Sequence, residues 1–236
     1  THTVPFVAAS DVYKRQDLDA KGETAYGIYG DGTVLVTNSL NLEGFKLPNL
    51  PKFGMNMVIP RQYDNFMWFG RGPHESYSDR KASTKIDVFS GKVTDQYHPY
   101  VRPQENGNKT DVRWATLRDD NGYGLMLTGF LSLKASHFTN DDYDSGILID
   151  DAGKPKQHKK SMHTTDMNEK NLIHIDIDQL QMGVGGEDSW GAQPLEEYQL
   201  TPKKYIYHFS MRLIEPSDEP ISCLLYTSDA ADERNS

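Results

Sequence analysis

Period-two alternation, recurring in short segments and never lengthening into a helical stripe, is what most restricts this chain. Residues 172–177 read Leu-Ile-His-Ile-Asp-Ile, and residues 204–213 alternate in the same way. Such alternation places the apolar set on one face of a strand. Further strand-like runs cover residues 24–30, 33–40, 56–60, 65–70, 92–97, 112–118, 123–129, 131–137 and 179–184. The first two are joined at Gly30-Asp31-Gly32, and Asp-Gly between such runs is a strong hairpin signal. Residues 47–52, with Pro48 and Pro51, read as an extended loop, and residues 141–161 as a long polar surface excursion with room for one helical turn. No segment carries an apolar stripe over three helical turns, and no repeat of fixed period is present. Short strands without alternating helices predict an all-β protein, a large antiparallel β-sandwich, over a parallel α/β fold. Thirteen Tyr and nine Phe among many Gly- and Pro-bounded segments suit that class.

Composition removes several functions. At 236 residues the chain is long enough for one large domain or two small ones. A formal net charge of -9 argues against a nucleic-acid partner, which needs clustered Lys and Arg. No apolar run approaches the ~18 residues of a membrane span, and the first residues show no basic stretch leading into an apolar core. Cys223 is the only cysteine, so no disulfide framework is available and no compartment can be read. Residues 11–16 and 224–233 resemble translated sequencing-adapter read-through. This reading sets residues 1–16 and 217–236 outside the fold, as non-native or disordered, and the β-sandwich at 17–216.

Three stretches carry candidate chemistry. Gln181-Met182-Gly183-Val184-Gly185-Gly186-Glu187-Asp188-Ser189-Trp190-Gly191 leaves a strand as a glycine-built loop bearing an indole. An indole there can stack on the apolar face of a sugar while Glu187, Asp188 and Ser189 bond its hydroxyls. The alternative is that Trp190 plugs a core. Residues 68–80, Trp-Phe-Gly-Arg-Gly-Pro-His-Glu-Ser-Tyr-Ser-Asp-Arg, lack the helix a dinucleotide loop requires. Glu75, Asp79 and Arg80 are placed instead in a network that locks a loop. Residues 104–109 form a polar loop, with Gly107 as its turn, suited to gripping a hydroxylated ligand or to being an ordinary solvated turn. No metal site is predicted: His98, His137, His174 and His208 sit in separate segments. The acidic run Asp141, Asp142, Asp144, Asp150 and Asp151 lacks the closing Glu of an EF-hand.

Taken together these stretches resemble the C-terminal, small-chain domain of the large bacterial β-galactosidases of glycoside hydrolase family 2. The matching residues are Trp68-Phe69-Gly70-Arg71-Gly72-Pro73 with Glu75, Tyr77, Asp79 and Arg80; Tyr97, Pro99-Tyr100-Val101, Pro103 and Glu105-Asn106-Gly107; and Met182-Gly183, Gly185-Gly186 and Asp188-Ser189-Trp190. The resemblance implies a supersandwich similar in fold to galactose mutarotases. It implies that Trp190 stacks on the bound sugar beside Asp188 and Ser189, and that Glu105 and Asn106 ride a loop near the active site that moves when ligand binds. Arg71, Glu75, Tyr77, Asp79 and Arg80 would be mostly structural. The family's two catalytic glutamates lie on an upstream TIM barrel, and a retaining glycosidase needs its two carboxyls roughly 5–5.5 Å apart. No such pair is assigned here, so no residue of this chain is expected to be catalytic. The implied partners are a galactoside, the missing barrel domain and, in the full enzyme, further copies of itself, in the bacterial cytoplasm or periplasm. Full-length members use a divalent or sodium ion, for which no ligand set is visible here. The rival readings are a free-standing carbohydrate-binding module, a purely structural subunit, and an aldose mutarotase drawing its acid and base from Glu75, Glu105 and His98.

Overall fold

A computed structural model of the chain describes residues 4–8, 20–143, 147–149, 155–158, 163–186 and 192–218. Its strands are β1 (Val4–Ala8), β2 (Lys21–Ile28), β3 (Val34–Asn41), β4 (Lys52–Pro60), β5 (Asn65–Gly72), β6 (Lys85–Lys92), β7 (Lys109–Arg118), β8 (Gly124–Ser136), β9 (Ile147–Ile149), β10 (Pro155–His158), β11 (Leu172–Gln181) and β12 (Lys204–Ile214). All pairings are antiparallel. Ten strands form one sheet, and β9 with β10 forms a separate hairpin.

The large sheet forks at β8. Along one edge β8 pairs with β7. Along the other, Gly124 to Thr128 pair with β12, and Ser132 to Ser136 pair with β11. One branch continues through β12, β3, β2 and β1, and the other ends in β4. The branches pack together: the Phe53 ring of β4 lies 5.2 and 5.4 Å from those of Tyr205 and Tyr207 on β12. The Tyr207 hydroxyl donates to the carbonyl of Ile177 at 2.9 Å. Between them lies one core drawn from many strands, with Phe66, Trp68, Leu117, Leu127, Leu133, Ile173, Ile175, Ile177 and Phe209 all buried. The period-two pattern therefore does what it predicts, delivering residues of β2 to β8, β11 and β12 to a common interior.

Several boundaries differ from the sequence expectation. Residues 123–129 and 131–137 are not two strands but the single long β8, because the fork needs one strand reaching both branches. Lys85–Lys92 is a strand that the pattern did not single out, and Thr94–Gln96 is a 3-10 turn rather than part of a strand. β4 begins at Lys52, inside the stretch read as ending an extended loop. The 141–161 excursion holds one helical turn, Asn140–Tyr143, and the β9–β10 hairpin. Val4–Ala8 lies within the segment set outside the fold, yet it pairs with β2 from Val4↔Ile28 to Ala8↔Thr24. It occupies the sheet's edge, where a strand containing Pro5 is tolerated.

Candidate functional site

The face of β11 opposite the core carries His174, Asp176 and Asp178. Facing water would be the usual fate of the polar half of an alternating strand, but Asp176 and Asp178 are buried. Cross-strand register sets their neighbours: Asp176 lies between Lys134 of β8 and Asn56 of β4, and Asp178 between Ser132 and Gly54. The Asp176 carboxylate accepts from Lys52 Nζ and, at 2.7 Å, from Asn56 Nδ2. Burial alone would raise its pKa. The Lys52 charge and these two hydrogen bonds outweigh that and hold it below the usual carboxylate range. Among the described residues the Lys52 ammonium, at 3.9 Å, is the one cation in ion-pair range of Asp178, and burial pushes its pKa up to about 7. Gly54 makes room for it, since a Cβ there would meet Asp178 Oδ1 at 1.9 Å.

Beside this charged cluster, and sharing Lys52 with it, opens a cleft of about 670 Å³. Its walls come from the three stretches singled out in the sequence: Glu75, Tyr77 and Arg80 from the first; Tyr100, Gln104 and Glu105 from the second; and residues 181–186 from the third. Segment 75–80 is the pin holding the other two. On one side, Asn108 Nδ2 donates to the Ser76 carbonyl and Thr110 N–H to Ser76 Oγ, both at 2.9 Å. Glu75 accepts from the Gly107 N–H at 2.7 Å, from the Tyr77 hydroxyl at 3.2 Å and from the Tyr100 hydroxyl. On the other side, Asp79 accepts from the N–H groups of Val184 and Gly185 at 3.1 and 2.9 Å, while the Arg80 guanidinium donates to the Gly185 carbonyl. Gly185 and Gly186 have φ of 59° and 87°, the left-handed region that turns the chain toward residues 187–191.

Two phenols stay protonated on this wall. Burial, the Glu105 and Glu75 charges and the bond to Glu75 raise Tyr77 well above its ordinary value, and burial with the Glu75 bond pushes Tyr100 up to about 12. Both therefore donate to Glu75. Lys109, also buried, donates to the Pro73 carbonyl at 3.3 Å and lies 4.9 Å over the Trp68 ring. Burial brings its pKa down to about 8 against the opposing Glu75 charge.

Glu105 stands half-exposed at the cleft, accepting from Lys134 Nζ at 3.1 Å. Asn106 does not line it. The side chain is buried, and its Nδ2 donates to the carbonyls of His98 and Gln104, stapling the loop. Arg71 lies away from the cleft and binds the Asp111 carboxylate. Asp188, Ser189 and Trp190 lie outside the described residues. Of the rival acid–base set, His98 packs its ring 4.4 Å from that of Tyr100. Lys52, Lys134, Asp176 and Asp178 were missed, because their meeting depends on the register of three strands far apart in sequence. The available signal was the matching polar halves of two alternating runs, Ser132, Lys134 and Ser136 against His174, Asp176 and Asp178. Among the described residues no group of three or more His, Cys, Asp or Glu side chains is placed to hold a metal ion. No helix among them is long and apolar enough to cross a membrane.

Fold and cleft together define an all-β domain whose loops converge beside the fork of a branched antiparallel sheet. A family model, β-galactosidase small chain, matches residues 2–213, and the chain belongs to that family. It is 34% identical over 215 residues to a β-galactosidase of Priestia megaterium, covering 89% of this chain and 19% of that protein. It is 32% identical over 176 residues to β-galactosidase BgaC of Bifidobacterium adolescentis, covering 75% of this chain and 14% of that one. The chain thus spans under a fifth of the length of these relatives. A galactose mutarotase related enzyme from Lactobacillus acidophilus aligns with a TM-score of 0.37 at 12% identity, covering 92% of this chain and 69% of that structure.

Proposed function

We propose that this chain is the small-chain part of a β-galactosidase and that its cleft forms one wall of the site where terminal β-D-galactosides are hydrolysed. The observation that carries the reading is the convergence of the three family-like stretches on one polar cleft. A sugar site needs a stacking face and polar groups aimed at one place. In this reading Trp190 supplies the stacking face from a loop whose base is pinned by Asp79 and Arg80, with Asp188 and Ser189 beside it. Glu105 contributes a carboxylate on the lip, and Asn106 keeps that loop in shape. The acid/base and nucleophile come from a barrel domain outside this chain, together with any metal ion the full enzyme uses.

Two measurements test this. The isolated chain should not turn over a chromogenic β-galactoside, because it lacks the carboxylate pair. Turnover lost on mutating Glu75 or Glu105 would move the catalytic centre here. In the assembled enzyme, Trp190→Ala should weaken galactoside binding by about 1–3 kcal/mol, by analogy with base stacking on an aromatic ring, while the melting temperature holds. A large fall in melting temperature with unchanged affinity would instead identify Trp190 as a core residue.

A further inference from the structure

A second cavity, of about 310 Å³, adjoins the cleft through Lys134. His174, Asp176, Lys134 and Asn56 line it from the polar face of β11, β8 and β4, and Asn140 and Asp141 join them from the helical turn. Lys134 Nζ donates to Glu105 at 3.1 Å and to Asn140 Oδ1 at 3.3 Å. An ammonium has three N–H groups; two are used in these bonds, and Nζ also lies 4.6 Å over the Tyr143 ring. Both carboxylate oxygens of Asp176 already accept one hydrogen bond, and each has a second lone pair to offer. The Nε2 of His174 is buried and has no hydrogen-bond partner among the described residues. An unmatched buried polar atom is costly, and in native proteins it usually marks a water, an ion or a ligand.

We propose that this cavity binds one small neutral polyol, of the size and chemistry of a single pyranose ring. Each sugar hydroxyl both donates and accepts. One ligand can therefore satisfy the imidazole nitrogen and the Asp176 carboxylate together. Val58 and Phe138 add apolar wall for the C–H face of a ring. Charge selects against the alternatives: an anion would face Asp176 and Asp141, and a cation would face the Lys134 ammonium. The volume lies at the low end of the roughly 300–1,000 Å³ typical of small-molecule pockets, which suits one ring rather than two. The proposal does not depend on the reading of the cleft.

The test is a titration of the full chain, labelled with 15N-histidine, with D-galactose or D-glucose. Sodium phosphate and calcium chloride serve as charged controls. The His174 imidazole signal is assigned by its loss in His174→Gln. One of the sugars should shift it saturably. Val58→Phe, placed on a strand position 45% exposed, should fill the cavity and weaken that response at least tenfold with the melting temperature unchanged. Trp190→Ala should leave it intact. No shift with either sugar, a shift indifferent to Val58→Phe, or a response to phosphate or calcium in place of sugar would each overturn the proposal. Failure of the cleft reading appears elsewhere, as an assembled enzyme whose galactoside affinity ignores Trp190→Ala.

Discussion

The Asp79 carboxylate receives the backbone N–H of Gly185 at 2.9 Å, and by that bond the segment after β5 governs a loop more than a hundred residues later in the chain. Asp79 also takes the Val184 N–H, and neighbouring Gly183 is held so closely that a Cβ there would lie 2.7 Å from Asp79 Cγ. Asp79→Ala should free both N–H groups and loosen the base of the loop. Hydrogen bonds to a charged group contribute about 1.5–3 kcal/mol each, and partial exposure to water sets the expectation at the low end. Asp79→Asn, which keeps one acceptor oxygen, should recover part of the loss. Hydrogen exchange of the Val184 and Gly185 amides reads this out: protection should fall in Asp79→Ala and return partly in Asp79→Asn. Equal protection in all three proteins would mean that Asp79 does not pin the loop.

Lys134 and Glu105 form the ion pair linking the charged cluster of β8 and β11 to the cleft's lip, with side chains 4% and 29% exposed. Removing one partner of a buried pair strands the other charge and typically costs about 3–5 kcal/mol. Lys134→Met should therefore destabilise strongly, since Asp176 also loses a nearby cation. Glu105→Gln should cost less, because Glu105 reaches solvent. The double variant should be more stable than the sum of the single effects predicts, with a coupling of roughly 0.5–3 kcal/mol. Urea unfolding of the four proteins gives that number, and strict additivity would rule out a direct interaction.

Gly54 offers a test of backbone packing. A methyl group there would meet Asp178 Cα at 2.5 Å and the Ile177 carbonyl at 2.6 Å, as well as the Asp178 carboxylate. The first two are backbone atoms, which cannot swing aside as a flexible side chain does. Gly54→Ala should shift β4 against β11 and destabilise by about 1–3 kcal/mol or more. The change should appear as a lower melting temperature. An unchanged value would show that β4 can move away from β11 freely.

The alternation of β11 and β12 was legible because period two is a local property, and it sufficed for the all-β, antiparallel class. The fork was not legible. It depends on β8 being one strand, and the glycine at 129 reads locally as a break between two. Lys85–Lys92 escaped notice for a related reason: Lys85, Ile86, Asp87 and Val88 are all exposed, and Phe89 alone of its side chains packs on the core, so this edge strand displays no alternating core face. The three cleft stretches stood out through glycine, proline and aromatic punctuation. The sequence also suggested that Glu75, Asp79 and Arg80 secure a loop. They secure two, through backbone groups and the Tyr77 and Tyr100 hydroxyls rather than through one another. Asn106 was read as a lip residue because an exposed-looking loop gives no hint that its amide folds back onto the loop's own carbonyls. The charged cluster stayed hidden for the opposite reason, since Lys134 and Asp176 each look solvent-facing until register brings them together.

Asp178 makes the stability of this domain depend on pH in a direction opposite to the usual carboxylate. Burial pushes its pKa from an ordinary 3.8 up to about 7, with the Asp176 charge adding to the rise and the Lys52 charge opposing it. The folded state therefore holds a proton that the unfolded state releases between those values. Stability from this group is fully present below about pH 4 and is lost as pH rises through 7. Asp176 works the other way: its folded pKa is depressed, so its contribution is present above the ordinary carboxylate value and is lost as pH falls. Asp178→Asn removes the first effect and leaves the second. Near pH 4 the variant and the parent should unfold at similar urea concentrations. By pH 8 the variant should be the more stable, by on the order of a few kcal/mol, since each tenfold change in proton affinity corresponds to about 1.4 kcal/mol. Unfolding curves at several values from pH 4 to 8.5 measure the difference directly. If that difference does not change with pH, Asp178 is ionised in the folded protein throughout, and the Lys52 ammonium at 3.9 Å is a stronger partner than its distance suggests.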